Sequence, residues 1–418
     1  MELRFSPIHA SIQSRLVGLA GTAGFAPTMR ILTFTSLFPN AVQREFGVFV
    51  HQRIAGLARR QGHQVQVMAP VPYFPPWLST RRWQIFSQIP KTETVGTLSV
   101  VHPRYLLLPG IMPLHGFLIF LGCLLAARRL HRRYQFDCID AHYVYPDGFA
   151  AILLGKALGI PVFLSARGTD INVFPGFHLI RPMILWALSE AAGVVAVSGA
   201  LKDTMLGIGV PAGKIQVIAN GVDPNRFHAV DRATARRELG IPDDAKVIVS
   251  VGSLVPVKSH TLLVTAMAAL AKRNPKLRLY IVGEGQMRPK LTALVHEQNL
   301  QECVFLVGSR PNETLKLWYS AADISCLASL REGMPNVVLE ALACGAPVVA
   351  TRVGGVAEVL VSESLGILIE PTIEGLIAGL ECALQRQWDR NFIAGHAQVR
   401  TWGVVAEEVE RYFAVRCG

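Results

Sequence analysis

A chain of 418 residues, 51% hydrophobic and 17% charged, is too long for one ordinary domain and too apolar for disorder, so two globular domains are expected. A formal net charge of +11 favours anionic partners: nucleic acid, phosphorylated ligands or anionic lipid. The 7 cysteines are scattered, with no CxxC pair and no Cys/His zinc spacing, which argues against a disulfide framework and for a reducing compartment.

Residues 1–28 lack the long apolar run of a secretory signal, and Met29 opens "MRILTFTSLFP", a first buried strand. Residues 1–28 therefore read as a disordered or misassigned extension. Helical periodicity through "FGVFVHQRIAGLARRQG" leads to a strand, "QVQVMAP". "LLLPGIMPLHGFLIFLGCLLAARRLHRRY" is apolar before a basic cluster, but Pro109, Gly110, Pro113 and His115 interrupt its front half. The rest, Gly116 to Ala127, falls short of the roughly 20 residues that span a bilayer. It reads as a buried helix or as a helix end on a membrane surface, with Arg128, Arg129, His131, Arg132 and Arg133 at the headgroups.

"DCIDAHY", "PVFLSARG" and "GVVAVSGA" are further short strands among helices such as "DGFAAILLGKALG". "QVIANGVDPNRFHAV" carries turn signals, and the alternation then restarts with "KVIVSVGSL", "LRLYIVGEG", "CVFLVGS", "ISCLAS" and "PVVAT". The expected architecture is α/β: a Rossmann-like domain at 29–218, a second at 219–402, and a last helix at 403–418. Their parallel sheets face each other across a cleft.

The motifs fall after strands of the second half. In "LREGMPNVVLEALACGAPVVAT", Glu332 sits in the loop beyond "ISCLAS" and Glu340 about a turn into the next helix. Pro335 suits that helix's first turn, and its free amides, near Gly333, Met334, Pro335, Asn336 and Val337, suit a phosphate. Eight helical steps would not bring Glu332 and Glu340 onto one face, so they are assigned to different parts of one ligand, and carboxylates accept hydrogen bonds from sugar and ribose hydroxyls. "SVGSLVPVKSH" carries Lys258 towards the cleft as a point charge for a diphosphate. "IVGEGQMR" is a tight turn holding Gly283 and Gly285 and is not a GxGxxG fingerprint.

As a set these residues resemble glycosyltransferase family 4, retaining nucleotide-sugar enzymes of GT-B fold. Glu332 and Glu340 match its E-x7-E, "GSLVPVK" its G-[RS]-L-x-x-x-K, and residues 282–285 its V-G-[DE]-G turn; "NGVDPNRF" and "LACGAPVVATRVGGVAEVL" match too. "DAHYVYPDGFAA" and "ARGTDIN" look like the bacterial members that build exopolysaccharides and cell-wall polymers. The resemblance implies that Glu340 binds the ribose, Glu332 the donor sugar and Lys258 the diphosphate. It implies that Gly47, in "REFGVFV", approaches the phosphates, and that the last helix crosses back to the first domain.

Two departures stand out. Ser253 replaces an Arg common among relatives, and Arg167 a His that packs by the reacting sugar. Arg167 is no base at ordinary pH but can stabilise a leaving diphosphate, and His142 is a further catalytic candidate. Asp147 and Asp170 are assigned to the acceptor side.

The resulting expectation is transfer of a sugar from a nucleoside-diphosphate sugar to a glycan or lipid-linked acceptor with retention, needing neither metal nor cofactor. The location is expected to be cytoplasmic, with peripheral contact to an anionic inner membrane face. A nucleotide-sugar epimerase of the same fold and a non-catalytic nucleotide-binding membrane scaffold are the rivals. Nucleic-acid binding rests on charge alone and is not expected.

Overall fold

The computed structural model describes residues 28–60, 62–73, 81–108 and 110–417; the expected extension lies outside them except for Thr28. The first sheet contains β1 (Arg30–Phe34), β2 (Gln64–Met68), β4 (Thr92–Val95), β5 (Leu98–Val101), β7 (Cys138–His142), β8 (Val162–Ala166), β9 (Gly193–Ala196) and β10 (Ile215–Val217). Its order is β10-β9-β8-β7-β1-β2-β5-β4, parallel except for the β4–β5 hairpin. β3 (Val71–Tyr73) and β6 (Arg104–Leu106) form a small parallel pair beside it.

The second sheet contains β11 (Lys246–Val251), β12 (Leu277–Val282), β13 (Val304–Gly308), β14 (Ile324–Leu327), β15 (Val348–Thr351) and β16 (Gly366–Ile369). Its order is β13-β12-β11-β14-β15-β16, all parallel. Counted within the domain that is 3-2-1-4-5-6, the doubly wound order whose ligand crevice opens where the winding reverses, here between β11 and β14. The strands are near-continuous apolar runs because helices cover both faces. On β11 the period of two divides Val247, Val249 and Val251 from Ile248, each set in a different core.

The chain crosses between domains twice, side by side. Residues 219–222 lie against 400–402: Val222 bridges Thr401, and the Arg400 guanidinium donates to Ala219 O and Asn220 O. A Cβ on Gly221 would lie 2.7 Å from the Thr401 backbone, so that crossing has no room for a side chain. The closing helix Trp402–Cys417 then packs on Val48–Arg59 of the first domain, with Val405, Val409 and Phe413 under β1 and β8.

The segment 112–134 departs from its sequence reading. A 3-10 turn, Met112–Leu114, runs directly into the helix His115–Tyr134, so Pro113 starts the helical stretch instead of breaking it. By length and composition alone Met112–Tyr134 could cross a membrane. One face, Gly116, Ile119, Cys123 and Ala127, is nevertheless buried against the first domain. The buried-helix reading holds for that face only.

Candidate active site in the interdomain cleft

The loops after β11 and β14 meet at the reversal point. Beyond β11, Gly252–Leu254 lies flat against the "VGEG" turn, with Leu254 N donating to Glu284 O at 2.9 Å. A Cβ on Gly283 would come within 2.0 Å of Gly252 O, and one on Gly285 within 2.4 Å of Leu254 O. Both glycines are thus explained by close backbone approach, and of the two only Gly283 lines the cleft cavity. The following 3-10 turn, Pro256–Lys258, delivers Lys258 Nζ to Glu332 Oε1 at 2.6 Å.

Glu332 belongs to a loop clamped from both domains. A Cβ on Gly354 would meet Glu332 O at 1.9 Å, and one on Gly333 would meet Arg167 O, in the other domain, at 2.2 Å. Met334 packs against the cores of both domains. The helix after this loop is Asn336–Ala343; Pro335, expected in its first turn, is its N-cap, and Gly345, with φ +74°, follows its end. Among the described residues no acceptor takes the amides of Asn336 and Val337, and both residues line the cavity.

That cavity has a volume of about 410 Å³ and is walled by both domains. Ser253, Gly283, Glu284 and Glu340 lie on one side; Gly47, Phe49 and Gln52 lie on the other. Gly47 caps the helix Val48–Arg59 with φ +67°, and a Cβ there would strike Leu37 O at 2.4 Å. Glu340 receives the Tyr319 hydroxyl at 3.1 Å, and burial pushes its carboxyl up to about 7. Glu332 and Lys258 do not line this cavity; Glu332 opens onto a neighbouring one with Asn172 and Thr204 of the first domain. The two glutamates thus line two separate cavities between the domains.

Sequence reasoning missed Tyr319 and the exposed Arg310, which follows β13 and lines the cavity that holds Glu340. The position of Arg310 after a strand's carboxyl end was the available signal.

The first domain's wall is a buried ionic relay. Arg53 donates to Ser165 Oγ at 2.8 Å and approaches Asp140 at 3.5 Å; Asp140 lies 3.2 Å from His142 Nε2; His142 Nδ1 accepts from Arg167. Arg167 also donates to Asn220 Oδ1 at 3.3 Å, Asn220 donates to Asn336 Oδ1 at 2.8 Å, and the guanidinium lies over the Phe49 ring. The relay therefore ends on the helix whose first residues, Asn336 and Val337, line the cavity.

Burial drives the His142 pKa down to about 3, so the ring is neutral with its proton on Nε2 towards Asp140. Expected as a catalytic group, His142 instead has both nitrogens engaged and no exposed surface; it positions Arg167. Burial lowers Arg167 to about 9, which leaves it cationic at neutral pH. Burial would raise Asp140, but His142 and Arg53 outweigh it and hold the carboxyl below its ordinary value.

Asp147 and Asp170, expected on the acceptor side, are fully buried braces. Asp170 accepts from the amides of Val144, Arg167 and Gly168. Asp147 accepts from the Ser36 amide at 2.6 Å and hydroxyl at 2.8 Å, and burial raises it to about 6. They shape the two turns at the mouth and cannot reach a ligand directly.

Two Rossmann-like domains closing on one cleft, with the nucleotide-type crevice in the second, define the GT-B architecture. Two family models match: Glycosyltransferase Family 4 over residues 47–226 and Glycosyl transferases group 1 over 231–397. The chain belongs to glycosyltransferase family 4.

It is 29% identical over 348 residues, 82% of this chain and 86% of the other, to TuaC of Bacillus subtilis, a glycosyltransferase whose name places it provisionally in teichuronic acid biosynthesis. It is 38% identical over 180 residues, 41% of this chain and 43% of the other, to a D-inositol 3-phosphate glycosyltransferase of Corynebacterium jeikeium. Its fold is similar to sucrose-phosphate synthase of Thermosynechococcus elongatus, with TM-score 0.74, 21% identity and coverage of 93% and 98%. It is also similar to Anabaena HepE in complex with UDP-glucose, with TM-score 0.68, 19% identity and coverage of 93% and 100%.

Proposed function

We propose that this glycosyltransferase moves a hexosyl-type sugar, with retention, from a nucleoside-diphosphate sugar to a hydroxyl of a glycan or lipid-linked acceptor in cell-envelope polymer synthesis. The observation that carries the reading is the cavity at the reversal point, where the carboxyl of Glu340 stands in one enclosure with the amides of Asn336 and Val337. A carboxylate accepts two ribose hydroxyls; amides and a nearby Lys258 receive a diphosphate. Arg310 adds a cation on the same wall, where Ser253 supplies none.

When the bond from C1 to the diphosphate breaks, negative charge grows on the leaving group. This reading assigns the stabilising of that charge to Lys258, held by Glu332, and Arg167, held by His142. The reading calls for no cofactor beyond the donor and no metal, and it places the enzyme in the cytoplasm. TuaC favours an envelope polymer, and the HepE complex favours a UDP-sugar donor.

The test is acceptor dependence. Nucleotide-sugar donors are screened by thermal stabilisation, and the hit is incubated with and without lipid-linked and glycan acceptors. Nucleoside diphosphate released with glycosylated product only when acceptor is present supports transfer. Conversion of the donor sugar to an epimer without acceptor supports the epimerase reading instead.

A further inference from the structure

We infer that the outer stripe of the helix His115–Tyr134 seats the first domain on an anionic bilayer surface, with its apolar half at the mouth of the cleft. Leu114, Phe117, Leu121 and Leu125 are exposed, Leu121 by 63% and Leu125 by 64%. Their spacing of three and four continues through Arg128 to Arg132, so one face runs apolar and then basic. The opposite row, Gly116, Ile119, Cys123 and Ala127, is buried against the core, so the helix presents only its outer face to lipid. Contiguous exposed apolar side chains on a helix with a basic face suit insertion among lipid headgroups.

Charge complementarity selects the occupant. The helix contains no Asp or Glu, and among the described residues no carboxylate pairs with Arg128, Arg129, Arg132 or Arg133. Four cations beside leucines are poorly suited to a second copy of the same face, which would oppose like charges. They suit anionic lipid, at about fivefold in affinity for each arginine near the surface.

Orientation follows from one contact. Tyr145 lies beyond the carboxyl end of β7, on the cleft side, and its hydroxyl donates to Met112 O at 2.8 Å. The apolar head of the stripe is therefore at the mouth and the basic tail at the far side of the domain. The rings of Tyr145, Phe174 and Phe177 continue from that head to a loop exposing Phe177 and Leu179. Where the reading as a transferase to lipid-linked acceptors holds, this seating leaves the acceptor a short path from bilayer to cleft.

Flotation with vesicles of phosphatidylcholine, alone or with phosphatidylglycerol, tests the surface directly. Wild-type protein is expected to float with the anionic vesicles at low salt and to be released at high salt. Arg128→Gln with Arg132→Gln should weaken that binding roughly 20-fold or more. Leu121→Gln with Leu125→Gln should weaken it on both lipid mixtures, and unchanged circular dichroism and melting show that these exposed positions do not perturb folding. Wild-type protein that stays unbound at low salt, or variants that float equally well, overturns the proposal. So does a dimer in sedimentation that Leu121→Gln abolishes, which assigns the stripe to self-association. Titration of UDP and GDP into the same preparations separates the two readings: nucleotide binding without flotation refutes only the membrane surface, and flotation without nucleotide binding refutes only the transferase site.

Discussion

The two walls of the cleft are built on opposite principles. The donor wall is built of loops: those after β11, β12 and β14 press backbone on backbone, and one short helix, Asn336–Ala343, supplies both its first amides and Glu340. The facing wall is assembled at a distance, with Arg53, Asp140, His142, Ser165 and Arg167 brought together from one helix, two strands and a loop. The donor wall offers open hydrogen-bonding groups; the charged groups of the facing wall are turned on one another, although Arg53 Nε and Arg167 Nε have no partner. The comparison teaches that substrate contact and positioning are divided between the domains, and that Arg167 and Asn220 are where they join.

Removing the anion of the facing wall should have the largest effect. Asp140→Asn leaves Arg53 without its buried partner and is expected to lower the unfolding free energy by about 3–5 kcal/mol. A melt within about 1 kcal/mol of wild type would mean that the relay does not hold that wall together.

On the donor wall the effect should fall on turnover instead. Lys258→Ala is expected to reduce kcat by about 10²–10³, roughly 2.7–4 kcal/mol, with the melting temperature little changed. Steady-state kinetics with the natural donor decides it, and a folded variant with wild-type kcat/KM makes Lys258 merely the partner of Glu332.

A smaller effect sharpens the comparison through pH. Burial raises the folded-state carboxyl of Glu340 to about 7 from an ordinary 4.5. Below about 4.5 the group is protonated in both states. Between 4.5 and 7 the unfolded chain releases its proton while the folded protein keeps it, so this carboxyl lowers stability as pH rises through that window. Glu340→Gln should therefore gain on wild type by about 1–2 kcal/mol from pH 4.5 to 7 and no further above it, the partial exposure of the carboxyl reducing the full linkage value. Melts across that range that move in parallel would show that the group is not raised.

The smallest effect tests the join. Glu358, in the second domain, accepts from Gly199 and Ala200 at the start of the first domain's helix Gly199–Gly207, at 2.7 and 3.0 Å. Glu358→Ala should lower stability by about 1 kcal/mol. A change confined to one of two resolved unfolding transitions would show that this carboxylate braces a domain and not the join.

The legible part of the sequence was the local part. Glu332, Lys258 and Gly283 stand out because each sits in a short loop or turn directly after an apolar strand, and Glu340 because it sits inside an apolar helix, whereas Gly47 was reached only through the family resemblance. The relay was half visible: His142 and Arg167 are conspicuous beside strand ends, but Arg53 and Asp140 look like an ordinary helix charge and strand charge. Only the parallel register of β7 on β8, which sets His142 opposite Ser165, brings them together. Asp147 and Asp170 misled because a carboxylate near a strand end looks the same whether it faces a ligand or caps a turn. Of the strands that went unread, β3, β6 and β10 are only three residues long, and β4 and β5 include exposed positions, unlike the wholly buried four-residue β9, β14 and β15 that were read.

The central claim, a nucleotide-sugar site built around Glu340, is tested most directly by calorimetry. UDP, GDP and ADP are titrated into wild-type protein and into Glu340→Ala. The account predicts saturable binding of at least one nucleotide to wild type, weakened in the variant by about 1.5–3 kcal/mol, roughly 10- to 150-fold, as a charged acceptor of ribose hydroxyls is lost. Equal affinity in the two proteins, with both folded, would contradict it.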